Sequence, residues 1–427
     1  MVQDDDNERN TELASMASIF NNALLVVIAA DAADPYVGFL GPRQAEYRRC
    51  TVPNVGDDDS ISWRLACPHM TWSEFNSSAI SLRAWTFQER LMARRAMIFT
   101  RVAWRWACAA GTSCECRSQR MYLNGLGAYS ELSFSADLSE MQRATQSVPR
   151  VKLNEIWKDI VTQYSPRLLS YPKDRLPAIS ALATCFDSIQ GDRYLAGLWG
   201  HDLISQLAWY PRYASPEPMW RLGMTFQPKP DYVAPSWSWA SCQSGVEFPD
   251  AYARQQLQGT YYAKVLHAYC TPKSARNPFG EVIAGRLTLE GYNASCTITV
   301  DSISDRKPDK LTIRVGDGLP VLVSYKERRR LARGVMEFYM RRDPGQPESR
   351  SLYIGERDYN PFPKSVMGHL LWLSEAWCLL LAACVDSEAE YERVECMGLA
   401  WENDRWIAKH RHIGDVPGIA YGKIDII

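Results

Sequence analysis

The rhythm of apolar and polar positions changes along this 427-residue chain, and each change predicts an element. Residues Asp5 to Ala23 carry Leu13, Met16, Ile19 and Phe20 on one helical face, and Asp5 with Glu8 three positions on has the capping-box spacing that opens a helix. The run Leu24 to Ala30 abandons that period for a continuous apolar stretch containing β-branched residues. It predicts a strand covered on both faces in a parallel sheet, ending in the loop of Asp31, Asp34, Pro35 and Gly38, at the strand end where open α/β sheets bind ligands. Arg83 to Met92 returns to helical spacing, whereas Ala96–Phe99 and Ala103–Ala107 alternate around a short polar turn and predict a hairpin. Two more helices are expected over Leu153–Tyr164 and Asp174–Ile189, separated by Ser165-Pro166 and Tyr171-Pro172, whose prolines interrupt the pattern.

Beyond Tyr232 the chain turns β-rich. Strands are expected over Arg286–Gly291, Cys296–Val300, Leu311–Val315, Pro320–Ser324, Trp377–Val385, Tyr391–Trp401 and Ile419–Ile427, with a basic helical stretch at Tyr325–Arg342. The organisation that follows is an α/β segment over 1–116, a polar connection over 117–150, a helical segment over 151–215 and a β-rich domain over 216–427 with its basic insertion at 325–342.

Composition narrows the chemistry. With 48 Lys+Arg against 49 Asp+Glu, the formal charge of -1 disfavours a whole-chain electrostatic reader of nucleic acid, and 46% hydrophobic residues exclude disorder for the bulk of the chain. The 36 Arg against 12 Lys, together with 15 Trp, point to stacking and bidentate carboxylate pairing. The acidic start MVQDDDNERN resembles neither a secretory signal nor a transit peptide, so a cytoplasmic protein is expected. Neither Ala23–Ala30, too short, nor the stretch around Leu370–Val385, interrupted by Ser374 and Glu375, makes a membrane span.

No phosphate loop, nucleophile elbow, zinc-protease helix or dinucleotide fingerprint is present, and the six histidines are dispersed. Cys108, Cys114 and Cys116 form the one tight thiol group, with His410 and His412 as distant complements. Their spacing is tighter than zinc sites use, and no metal or cofactor is expected. Trp85 and Glu89 lie one helical turn apart, an arrangement able to hold an arginine by stacking and by bidentate bonds, or else to form a structural ion-pair network at a domain seam. Glu89 is expected to pair with Arg83 or Arg175 there, and its loss to cost roughly 3–5 kcal/mol. In Trp237-Ser-Trp239 alternation puts both indoles on one face, as core or as an aromatic platform.

A series of motifs in order resembles the fungal heterokaryon-incompatibility (HET) domain proteins. Gln3-Asp4-Asp5 with Glu8, Glu12, Met16 and Ile19-Phe20 is similar to that family's helix, and Ile28 to Asp34 through Gly38-Phe39-Leu40 to its next strand and loop. Arg83-Ala-Trp-Thr-Phe-Gln-Glu-Arg-Leu91 is similar to its most recognisable block, and Trp104–Cys108 to the strand after it. Tyr164-Ser165, Tyr171 to Leu176 including Asp174 and Arg175, Tyr194–Trp199, Leu207–Tyr210, Ala234–Ser241, Arg286–Gly291 and Tyr391–Val394 resemble the segments that commonly follow. Family members usually carry two further strands ahead of the Gln-Asp-Asp position, and here Met1-Val2 stands where the second would end.

The resemblance implies a mixed α+β fold: a partial α/β remnant of a HET domain, itself likened to Toll/interleukin-receptor (TIR) domains, then a helical segment and a β-rich domain. It implies a part in non-self recognition and regulated cell death. A degenerate TIR-like activity would make Glu8 or Glu12 the carboxylate that stabilises positive charge on a ribose as nicotinamide leaves. Two rival readings stand beside it. One is an interaction module that binds a protein partner through an exposed apolar patch. The other is a cyclase or isomerase of secondary metabolism that takes a small apolar ligand into a pocket lined by Trp85, Trp237 or Trp239. The candidate seam or binding residues are Arg83, Trp85, Glu89, Asp174, Arg175, Trp237 and Trp239.

Overall fold

The computed structural model describes residues 6–32, 36, 38–41, 50–53, 62–65, 78–100, 103–108, 111–115, 149–212, 232–249, 261–304, 307–315, 319–321, 365–373, 377–384, 387–398 and 419–427. The fold is mixed helix and strand with a β-rich C-terminal region. It divides into two compact units, Met1–Gly191 with Ser274–Gly280, and Asp192–Lys273 with Glu281–Ile427. Residues 151–215 therefore fall on both sides of the division. The connection over 117–148, the basic stretch 325–342, Asp5, Cys116, His410 and His412 lie outside the described residues.

The first unit opens with α1 (Asp6–Asn22), which buries Leu13 and Met16 against Ala181, with Ala17, Phe20 and Trp85 closing over them. Ile19, expected on that face, is exposed. Next comes β1 (Val26–Ala29), then the short pair β2 (Cys50–Pro53) and β3 (Ser62–Leu65), helix α2 (Trp85–Met92), and β4 (Arg95–Phe99), β5 (Trp104–Cys108) and β6 (Gly111–Cys114). β1 pairs in parallel with β4, and β4, β5 and β6 continue antiparallel. The expected hairpin is β4 and β5. The expectation of a strand covered on both faces is corrected: Ile28 is buried and Val27 exposed, and among the described residues β1 pairs with β4 alone, in a mixed sheet. An unbroken apolar run does not report which neighbours a strand has. The covered face is built of small residues, Ala30, Ala93, Ala96, Ala103 and Ala107, around Ile28 and Ile98.

Helix α3 (Arg150–Tyr164) buries Leu153, Ile156, Trp157, Ile160 and Val161, a stripe of 3.6-residue period. The helix expected from Asp174 begins later. Pro172 and Pro177 each open a short 3-10 turn, because proline has no N–H to continue an α-helical ladder, and α4 runs Ser180–Gln190. Gly191, at φ 56°, ends α4 in the left-handed conformation and donates its N–H to the Asp187 carbonyl at 2.8 Å.

The second unit starts with the hairpin β7 (Tyr194–Leu195) and β8 (Leu198–Trp199), the short helix α5 (Leu203–Gln206), and the pair β9 (Tyr210–Pro211) and β10 (Val246–Glu247). The large sheet follows: β11 (Ala263–Pro272), β12 (Val282–Ser304), β13 (Lys307–Val315), β14 (Leu319–Val321), β15 (Ser365–Trp372), β16 (Trp377–Cys384), β17 (Ser387–Gly398) and β18 (Ala420–Ile426). The two expected strands Arg286–Gly291 and Cys296–Val300 are one 23-residue strand, β12, with Asn293 inside it. Its first half pairs with β11 and β18 and its second with β13 and β15. Because β15, β16, β17 and β18 are paired in series and β18 returns to β12, these five strands form a closed ring. Closure satisfies backbone groups that an open edge would leave bare.

Candidate functional site

The block Arg83–Met92 folds as a turn carrying one isolated bridge, at Arg83, followed by a helix. Arg83 stands outside α2, where residues 82 to 84 pair with Leu168: Leu168 N–H donates to Leu82 O at 2.7 Å and Ala84 N–H to Leu168 O at 3.0 Å. Thr86 Oγ1 donates back to Ile80 O and Arg83 O, closing the turn that enters the helix. Inside α2 the fully buried Gln88 joins three helices. Its Oε1 accepts the N–H of Ala181 at 3.1 Å, one of the donors that the first turn of α4 leaves without an intrahelical acceptor, and its Nε2 reaches Met16 Sδ at 3.4 Å.

The carboxylate that organises this site is Asp174. It is buried on the 3-10 turn Pro172–Arg175, forms an ion pair with Arg9 of α1 through Oδ1, and accepts the Trp85 indole N–H through Oδ2 at 3.3 Å. The expectation for Glu89 is corrected. Among the described residues no ion pair within 4.0 Å is formed by Glu89. Burial raises its carboxyl pKa, with the more distant charge of Arg83 opposing the shift. Trp85 sits at the first position of α2, so its N–H is aimed at the neighbouring turn, and Asp174 occupies the place expected for Glu89.

In the same unit as Asp174 lie the buried Arg90 and Arg175 and the half-buried Arg167. Arg175 donates from Nη2 to Ser165 O at 3.2 Å, and its own carbonyl accepts the Tyr164 hydroxyl at 2.7 Å. Arg167 covers the Phe87 ring at 4.6 Å from its centroid and donates to the Ser81 carbonyl. Burial pushes Arg167 down to about 10, pushes Arg90 well below its ordinary range with the charge of Arg167 adding to the effect, and raises the Tyr164 phenol. At neutral pH Arg167 remains charged and Tyr164 protonated, so neither of them exchanges a proton. Their arrangement holds charge in place.

Trp237 and Trp239 belong to the second unit and are completely buried there. Trp239 Nε1 donates to Gly197 O at 2.8 Å, the Ser238 hydroxyl donates to Ala196 O, and Trp209 Nε1 donates to Trp237 O at 3.0 Å. The β7–β8 turn requires positive φ at both Ala196 (47°) and Gly197 (95°), the signature of the two-residue turn that matches strand twist. A Cβ at Gly197 would stand 2.5 Å from the Trp239 ring. These tryptophans are close-packed core. Over the same segment Arg393 of β17 lies 3.6 Å from the Trp209 ring centroid and donates to the carbonyls of Leu207 at 2.8 Å and of Trp209.

Glu8 and Glu12 lie one turn apart on α1, Glu8 exposed and Glu12 half-buried, on the helix that buries Leu13 and Met16. Arg83, Trp85, Glu89, Asp174 and Arg175 are thus brought into the first unit and Trp237 and Trp239 into the second. Arg9, Gln88 and Arg167 escaped notice as site residues. Gln88 sits inside the most recognisable block, and that position was its one visible signal. Among the described residues no group of three His, Cys, Asp or Glu side chains is placed to hold a metal ion. Burial raises the thiols of Cys185 and Cys296 to about 11 and about 12, which leaves them protonated and unreactive at neutral pH.

Residues 1–89 match the family model described as Heterokaryon incompatibility protein (HET). No curated protein and no solved structure matches the chain. Among the described residues no helix is long and apolar enough to cross a membrane.

Proposed function

We propose, from the premise that this chain carries HET-domain sequence and so belongs in general to heterokaryon incompatibility, that it acts by binding a protein partner rather than by catalysis. The observation carrying this reading is the apolar exposure around β1. Leu24 is 80% exposed and Val27 53%, and Tyr36 and Leu40 further along the same stretch are exposed as well. Among the described residues no strand pairs with the outer edge of β1. A bare edge flanked by large apolar side chains is costly to leave in water and is the kind of surface a partner strand covers.

The other readings draw less support. Trp237 and Trp239 fill the core of their unit, where a pocket enzyme would use them to line a cavity, and the Trp85 indole is engaged by Asp174. The TIR-like reading rests on Glu8 and Glu12, whose helix positions are equally those of a solvated face. The family resemblance makes regulated cell death after incompatible fusion the process served, with the cytoplasm as its setting.

A co-expression assay for incompatibility-type cell death separates the readings. Val27→Lys and Leu24→Asp abolish the response while leaving the melting temperature unchanged, and Glu8→Gln and Glu12→Gln leave it intact. Loss of the response in the glutamate variants, with Val27→Lys still active, would overturn the interaction reading.

A further inference from the structure

On the large sheet of the second unit, apart from the Trp85 site, three polar side chains form a directed chain of hydrogen bonds. Ser295 of β12 is the direct cross-strand partner of His369 of β15, and Asn293 shares the face of Ser295 by the two-residue period of a strand. Ser295 Oγ lies 3.4 Å from His369 Nδ1, and His369 Nε2 lies 3.0 Å from Asn293 Oδ1.

The tautomer follows from the outermost link. Asn293 Nδ2 donates to the Gly291 carbonyl at 3.0 Å, which leaves Oδ1 as the atom facing the imidazole. Oδ1 only accepts, so His369 Nε2 carries the ring proton. Burial lowers the pKa of His369 below its ordinary 6.5, so the ring is neutral at pH 7 and Nδ1 holds a free lone pair. The remaining donor aimed at that lone pair is the Ser295 hydroxyl. A nucleophile, a base within reach and a third group orienting the base constitute the arrangement that activates a hydroxyl, and such bonds are long before a ligand is bound.

The surroundings fit a reactive position. Ser295 is exposed, whereas on the same face of β15 the chain passes from exposed Met367 through half-buried His369 to fully buried Leu371. The His369 ring is also 5.1 Å from that of Tyr391 on β17, although β16 runs between their strands. Strands two apart are separated by about 10 Å, so the two rings lean together over one face, on the ring of strands closed by β18.

We propose that Ser295 is an acyl-accepting nucleophile, with His369 as its general base and Asn293 as the residue positioning that base, acting on small activated esters. Ser295 Oγ forms a bond to the ester carbonyl carbon as its proton passes to His369 Nδ1. The carbon–oxygen bond to the leaving alcohol then breaks, and that oxygen takes the proton. Water then gives a proton to the same nitrogen and bonds to the acyl carbon, the bond from that carbon to Ser295 Oγ breaks, and Oγ takes the proton back, which releases the carboxylic acid and restores the serine.

The probe is p-nitrophenyl acetate, with nitrophenolate release followed by absorbance and the acetylated residue located by peptide mass mapping. The full chain is expected to acquire acetyl at Ser295. Ser295→Ala abolishes it, and His369→Gln slows it by about 100-fold, the ordinary contribution of a general base. Asn293→Ala slows it by a smaller factor and Asn293→Asp, which keeps an acceptor oxygen, restores the rate. Thermal melts of each variant report folding, and Ser295→Ala, at an exposed position, is read even if His369→Gln does not fold. Acetylation elsewhere in the chain, no acetylation, or a Ser295 rate unchanged in both His369→Gln and Asn293→Ala overturns the proposal.

Discussion

The two units solve the same problem, an arginine taken out of water, by different means. In the first, Asp174 supplies a full opposite charge to Arg9 and shares itself with the Trp85 indole. In the second, Arg393 lies against the Trp209 ring and donates to the carbonyls of Leu207 and Trp209. A carboxylate compensates charge from many directions and tolerates movement. Two carbonyls and a ring face demand the flat guanidinium in one pose, so the second arrangement specifies geometry more strictly.

The sharpest way to break the second arrangement is at its support. Gly197→Ala puts a methyl group into the Trp239 ring at a residue with φ 95°, and combines overpacking with left-handed backbone strain. A loss of about 4 kcal/mol is expected by denaturant titration. Next is Arg393→Ala, which strands two buried carbonyls and removes the ring contact, for about 3 kcal/mol. Arg393→Lys recovers less than half of that, because an ammonium cannot make both bonds and stack. Full recovery would show that charge, not shape, matters there.

The first arrangement breaks more gently. Asp174→Ala is expected to cost about 2 kcal/mol, below the range for fully buried pairs because the Arg9 side chain is 27% exposed. Asp174→Asn retains an acceptor for Trp85 and costs less. Smallest, and of opposite sign, is Glu89→Gln. An acid whose folded pKa lies above its ordinary 4.5 loses stability as pH rises from that value through the folded one, and the penalty is constant above it. The variant is therefore as stable as the parent near pH 4.5 and slightly more stable at pH 7 by thermal melt. A lower melting temperature at pH 7 would restore the ion-pair role that the geometry denies it.

What was legible from residues alone divides along a physical line. Elements with a strong period, α2, α3 and the β4–β5 hairpin, are where the pattern puts them, because burial on one face writes that period into the chain; α1 and β1 also stand where they are expected, but Ile19 of the one is exposed and the unbroken apolar run of the other does not report its partners. Trp85, Glu89, Asp174 and Arg175 were also visible as a set, but their pairing was not, and Arg9 was not among them. Trp85 and Glu89 are neighbours on a helix, whereas the partner that Trp85 meets, Asp174, is 89 positions away and is brought there by two proline-led turns. Ser295, His369 and Asn293 carried no signal either. A serine and a histidine become neighbours only through the register of β12 with β15, and β15 itself was not among the expected strands. Strand β11 was missed for a related reason: its partly covered faces do not alternate cleanly.

The length of β12 has a consequence for how the second unit comes into being. This one strand is flanked by β11, β13, β15 and β18; residues 287 to 291 pair with β11 along one edge, and along the other residues 287 to 293 pair with residues 420 to 426. Ser236 waits as long, since it bonds Ile427. On a ribosome, residues 192 to 419 emerge with the ring unclosed, and one backbone edge of residues 287 to 293 stays unpaired until β18 arrives. Pairings of such long sequence separation are slow to form, so this unit folds late, after synthesis has passed residue 420, and the interval before closure is when it is most open to aggregation and most dependent on chaperones.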